Sequence, residues 1–122
     1  MNESGLNRDI SLMVATFNMG NAPCNDIDKL IPSKGEGLDL IVLGLQESTW
    51  LGKITTPVKT TNILEPCVEE LLSAIRNVLG ERFKMVAHNK RAQLQMIIFA
   101  REALAKDIQN IAKSAENTGR QN

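Results

Sequence analysis

The chain predicts an α/β fold, and three features carry that expectation. Two are near-continuous apolar runs, Val14-Ala15-Thr16-Phe17-Asn18-Met19-Gly20-Asn21 and Leu38-Asp39-Leu40-Ile41-Val42-Leu43-Gly44-Leu45-Gln46-Glu47-Ser48. The third is an apolar stripe at helical spacing, formed by Val68, Leu71, Leu72, Ile75, Val78 and Leu79. Near-continuous apolar runs suit strands buried on both faces, as in parallel sheets. Each run ends in a residue able to hold a hard cation or a phosphate, Asn18 in the first and Glu47 in the second. In open α/β sheets the ligand crevice lies beyond the carboxyl ends of the strands. The pair therefore points to a metal-assisted phosphate site.

Taken in order, residues 1–9 read as a disordered lead-in and residues 10–17 as the first buried strand. Residues 18–25 form a loop containing Gly, Asn and Pro, and residues 26–31 make one helical turn that Pro32 stops. Residues 33–37 form a flexible connection to the second buried strand, residues 38–45. Residues 48–62, with Trp50 and Pro57, show no sustained periodicity and read as a surface loop. Pro66 suits the first turn of a helix running to Leu79, and Gly80 supplies its stop. Residues 82–89 and 94–101 read as strands joined by a polar turn, Lys90-Arg91-Ala92-Gln93. Within the second of these, Met96-Ile97-Ile98-Phe99-Ala100 has a fully buried character. The tail from Glu102 begins with helical potential at Leu104, Ile108 and Ile111 and decays into polar residues.

Composition narrows the function. At 122 residues the chain is one domain at most. Its 14 basic and 14 acidic residues balance, so no long-range field draws it to nucleic acid or an anionic membrane. An aromatic content of 3%, with no Tyr, disfavours a stacking platform for single strands. No nucleic-acid partner is expected. Cys24 and Cys67 lack metal-ligand spacing and read as free cytosolic thiols. The polar N-terminus has no signal-peptide core, and no run approaches the ~18 apolar residues of a membrane span. A cytoplasmic protein without a transmembrane segment is expected.

Several segments are similar to a known family. Thr16-Phe17-Asn18-Met19-Gly20-Asn21 resembles the opening strand of the inositol polyphosphate 5-phosphatases, Thr-Trp-Asn-Met/Val-Gly-Asn, with Phe17 where the family usually carries Trp. Residues 39–47 resemble its second strand, Asp-Ile-x-x-Ile-Gly-x-Gln-Glu, and residues 95–100 its Met/Ile-rich strand. Residues 104–111, followed by Glu116-Asn117-Thr118-Gly119, resemble the approach to its Gly-Asn-Lys-Gly motif. The resemblance spans roughly residues 10–119 and leaves residues 120–122 divergent. Gln-Glu after an apolar strand also belongs to the wider endonuclease/exonuclease/phosphatase superfamily.

The resemblance implies a partial four-layer α/β sandwich of that superfamily: one mixed sheet with an outer helix, the partner sheet largely missing. An uncovered, apolar sheet face should follow. The family's Gly-Asp-x-Asn, Trp-x-Asp-Arg and Ser-Asp-His motifs do not occur, so the chain looks like the first part of a longer domain. The implied activity is Mg2+-dependent 5-phosphatase hydrolysis of a phosphoinositide or a soluble inositol polyphosphate, with the chain inactive alone. Peripheral membrane contact would come through absent regions. The alternatives are an endonuclease-like phosphodiesterase of the same superfamily and a non-catalytic interaction protein keeping half the fold.

Hydrolysis of a phosphate monoester needs charge stabilisation on the phosphoryl oxygens and an oriented, activated water. Mg2+ suits the first task, held by one or two carboxylates, waters and the substrate's own phosphate. The resemblance assigns that carboxylate to Glu47 and places Asn18 beside it, where its amide can orient Glu47, touch the metal or bond a phosphate oxygen. Asn21 and Gln46 are weaker polar candidates, and alternation along the strand turns Gln46 away from Glu47. Lys84, Lys90, Arg91 and Arg101 read as a cluster around the hairpin that discourages edge pairing. His88, the only histidine, reads as a polar or edge-strand residue.

Overall fold

Four strands form one mixed sheet in the order β1-β2-β4-β3, in a computed structural model that describes residues 9–22, 26–49, 68–109, 111, 113 and 114. The elements are β1 (Leu12–Asn18), α1 (Ile27–Leu30), β2 (Leu40–Gln46), α2 (Val68–Leu79), β3 (Phe83–Arg91), β4 (Leu94–Arg101) and α3 (Glu102–Ala105). Short 3-10 turns at Pro32–Gly35 and Gly80–Arg82 link them. The expectations for residues 1–8, for the loop around Trp50 and Pro57, for Pro66, for both cysteines and for the end of the tail lie outside the described residues.

β1 and β2 run parallel, from Leu12 opposite Leu40 to Asn18 opposite Gln46. The β2–β4 and β3–β4 pairs are antiparallel, so only one pairing has the parallel geometry that the apolar runs suggested. Pairing partners share a sheet face. One face therefore carries Ile41, Leu43 and Leu45 of β2, Ile97 and Phe99 of β4, and Phe83 of β3, all buried. Leu71, Leu72, Ile75 and Leu79 of α2, with Ile27, Ile31 and Met19, complete this core. The stripe expected from the sequence is thus the stripe that packs, and each such side chain contributes about 1.5–3 kcal/mol when fully buried. Gly80, at φ +73, takes the left-handed conformation that ends α2.

The opposite face is bare among the described residues. Leu12 (54% exposed), Val14 (62%), Leu94 (53%) and Met96 (50%) line it, with Val42 and Ile98 half-buried. This is the uncovered apolar face that the half-sandwich predicted. It corrects two readings of the strands. β1 is an edge strand with exposed apolar residues rather than a strand buried on both faces, because among the described residues one neighbour and one layer cover it. Residues 96–100 alternate in part, Met96 exposed and Ile97 fully buried, where a wholly buried run was expected.

Three further expectations change. Residues 33–37 are tightly folded: Ser33 and Lys34 are left-handed (φ 52 and 54), and Gly35 is buried. The polar turn narrows to Ala92 and Gln93 because the strands run on to Arg91 and resume at Leu94. The helical tail stops at Ala105. No described helix is long and apolar enough to cross a membrane.

Candidate functional site at the parallel strand ends

The register that sets Asn18 opposite Gln46 brings the carboxyl ends of β1 and β2 side by side. Pairing continues past the strands: Met19 N–H donates to the Gln46 carbonyl at 2.8 Å, and Asn21 N–H to the Glu47 carbonyl at 2.7 Å. Buried Met19 anchors the loop in the core. Gly20, Asn21 and Glu47 all have positive φ, at 64, 56 and 49. For Asn21 and Glu47 that backbone costs on the order of 1–3 kcal/mol each and persists only where the surroundings over-determine it.

The two residues singled out by the sequence meet here. Asn18 Nδ2 donates to Glu47 Oε2 at 3.1 Å, and Asn18 Oδ1 accepts the Gly20 N–H at 2.9 Å. Both partners fix the amide orientation, since a carboxylate only accepts and a backbone N–H only donates. Of the three roles open to Asn18, orienting Glu47 is the one these contacts make. Both side chains are exposed at the sheet end.

Behind Glu47 the chain turns inward. Thr49 and Ser48 are almost fully buried, and Thr49 Oγ1 donates to Asn21 Oδ1 at 2.7 Å. Ser48 N–H and Oγ–H both donate to the Gln93 carbonyl at 3.0 Å. Gln95 Nε2 donates to Ser48 Oγ at 3.1 Å, and Gln95 Oε1 lies 2.8 Å from His88 Nε2. Sequence reasoning passed over Ser48, Thr49 and Gln95. The available signal was parity: Gln95 shares a face with Ile97 and Phe99, so a polar residue there needs an internal partner. His88 lies on the edge strand β3, as expected, half-buried against that partner.

The basic residues do not form one cluster. The β2–β4 register sets Leu45 opposite Gln95, so the hairpin tip with Lys90 and Arg91 falls at the same sheet end as Glu47. Lys84 and Arg101 fall at the other end. Arg101 donates to the Leu38 carbonyl, with Nε 3.5 Å from Asp39 Oδ1 and its guanidinium 5.1 Å from the Phe83 ring centroid. Its task is to fasten β4 to the start of β2. A cleft of about 260 Å³ opens on the bare face near the Glu47 end, lined in part by Thr16, Gln46, Lys90, Arg91 and Met96.

Glu47 fits a hard divalent ion as a single carboxylate. Asn18 Oδ1 is engaged by Gly20, and no group of three or more His, Cys, Asp or Glu converges among the described residues. Such a donor set suits an ion that retains waters and takes phosphate oxygens from its substrate, rather than a closed protein cage.

A mixed sheet with polar side chains at its parallel strand ends places the chain among α/β proteins, in which ligand crevices lie beyond the carboxyl ends of the strands. The chain belongs to endonuclease/exonuclease/phosphatase family 2, whose model matches residues 15–122. No curated protein matches the chain significantly. Members of this superfamily are generally hydrolases and often use divalent metal ions.

Proposed function

We propose that this chain carries the Glu47 half of a divalent-metal phosphoesterase site, with inositol phosphates, soluble or lipid-borne, as the substrate class and the 5-phosphate as the group removed. The observation that supports it is the Asn18–Glu47 contact at the paired ends of β1 and β2. The likeness of Thr16–Asn21 and Asp39–Glu47 to the 5-phosphatase strands supplies the substrate class.

In this reading Glu47 holds Mg2+, which supplies charge to offset that on the phosphoryl oxygens. Asn18 holds the carboxylate in one orientation through its Nδ2, so less freedom is lost when a cation arrives. Lys90 and Arg91 bring positive charge to the same sheet end. The cytoplasm, with peripheral contact at phosphoinositide membranes, is the location that fits this chemistry.

The test is titration with Mn2+, a spectroscopic substitute for Mg2+, followed by electron paramagnetic resonance. The 122-residue chain should bind one ion, and Glu47→Gln should weaken binding at least tenfold. Equal affinity in the two proteins would overturn the reading. Binding of a soluble inositol polyphosphate to the Mn2+-loaded chain, against binding of a DNA duplex, separates the phosphatase from the phosphodiesterase alternative.

A further inference from the structure

We infer that Gln95 and Ser48 are positioning residues for the Glu47 carboxylate, an inference that rests on the metal-site reading above. Glu47 sits at φ 49, outside the backbone region a glutamate prefers, so something must hold it there. One flank is fixed by Gln46, whose carbonyl accepts from Met19 N–H at 2.8 Å and whose Cα pairs with Asn18. The other flank is Ser48, fully buried, and its bonds cross to β4 and from there to β3.

The directions of those bonds follow from donor counting. The Ser48 hydroxyl has one proton and spends it on the Gln93 carbonyl, so it accepts from Gln95 Nε2. Gln95 Oε1 is then the free acceptor, and His88 Nε2 must be the protonated nitrogen that donates to it. The chain of donation runs His88 to Gln95 to Ser48 to the Gln93 carbonyl, with each hydrogen bond supplied by a matching partner. Buried polar networks satisfied in this way specify one arrangement.

Nothing separates this network from the site except the Glu47 backbone itself. With Gln95 unable to donate, Ser48 Oγ loses a partner in a dry environment, while Ser48 still donates twice to the Gln93 carbonyl and Asn21 N–H still holds the Glu47 carbonyl, so the turn relaxes locally rather than opening. That relaxation swings the carboxylate away from Asn18 Nδ2, leaving the sheet intact. The two effects are separable because α2, which covers the core, carries no member of the network, and Gln95 sits at the last register position of the inner face, opposite Leu45.

The experiment compares the 122-residue chain with Gln95→Leu, Ser48→Ala, their double variant and Ile75→Val, a core substitution in α2 that destabilises without touching the site. Mn2+ affinity is measured by electron paramagnetic resonance, and the Asn18 side-chain NH2 resonances by 1H–15N NMR. Gln95→Leu and Ser48→Ala should each weaken Mn2+ binding about tenfold, with the double variant no worse than either, since residues of one network are non-additive. Ile75→Val should leave affinity unchanged. Wild-type affinity in both single variants overturns the inference, as does an equal loss in Ile75→Val. Should Gln95→Leu fail to fold, Ser48→Ala alone carries the comparison. If the wild-type chain binds no Mn2+, the metal reading fails by itself and the NMR signal decides: shifted Asn18 NH2 resonances in the network variants alone support positioning, and unshifted ones overturn it.

Discussion

Asn18 and Glu47 lie 29 positions apart in sequence, yet Nδ2 of the first stands 3.1 Å from Oε2 of the second at the ends of adjacent parallel strands. The contact suggests a substitution that tests its surroundings directly. Asn18→Asp keeps an oxygen for the Gly20 N–H but sets two carboxylates against each other. In metal-free buffer the variant should lose about 1 kcal/mol, the loss shrinking with added salt. With Mg2+ or Mn2+ the second carboxylate becomes an extra ligand, so the metal-induced rise in melting temperature should exceed that of the wild type. Thermal melts with and without the ion measure both effects, and an unchanged metal response would count against a cation at this position.

Gly35 and Gly37 share a left-handed backbone, φ 83 and 82, but differ in surroundings. A Cβ at Gly35 would stand 3.0 Å from Leu79 Cδ2 and 3.1 Å from Phe83 Cε1, whereas one at Gly37 meets nothing within 4 Å. Alanine at Gly37 should cost only the backbone term, about 1–2 kcal/mol. Alanine at Gly35 adds overpacking of about 1–3 kcal/mol. Urea unfolding of the two variants isolates the packing contribution as their difference.

The strands, and the positions of Asn18 and Glu47 at their ends, were legible in the sequence because the apolar runs stop there. Which sheet face is covered was not. Val14, Met96 and Ile98 are as apolar as Leu43 and Ile97, so a bare face and a packed one look alike until pairing is known. The bonds of Ser48 with Gln93 and Gln95 span 45 and 47 positions, so the burial of these polar groups depends on register rather than on neighbours in sequence. Arg101 was misread for the same reason, as its partner Asp39 lies just before β2, much earlier in the chain.

Adjacent residues on β4 test the two-faced sheet. Met96 is 50% exposed and Ile97 fully buried. Ile97→Ala should cost about 2–5 kcal/mol, while Met96→Ala should fall within about 0.5 kcal/mol of the wild type. The bare face should also bind a hydrophobic dye and promote self-association of the isolated chain. Val14→Thr combined with Met96→Thr should reduce dye fluorescence and sedimentation heterogeneity without a matching loss of stability. Dye binding that persists in the double variant would place the exposed apolar surface somewhere else.

The last prediction concerns turnover. Phosphate ester hydrolysis needs a group to activate water as well as charge to hold the phosphoryl oxygens. The Gly-Asp-x-Asn, Trp-x-Asp-Arg and Ser-Asp-His motifs do not occur in these 122 residues, and the sole histidine, His88, has its Nε2 turned to Gln95. Members of a catalytic unit act together, so the loss of several leaves far less than a proportionate share of rate. Glu47 and Asn18 alone should therefore give no measurable phosphatase activity in the 122-residue chain, even where they bind a cation. Inorganic phosphate released from a soluble inositol polyphosphate with Mg2+ should match that from a Glu47→Ala control. Turnover clearly above the control would mean that residues of this chain activate water, and His88 would be the first to substitute in search of the base.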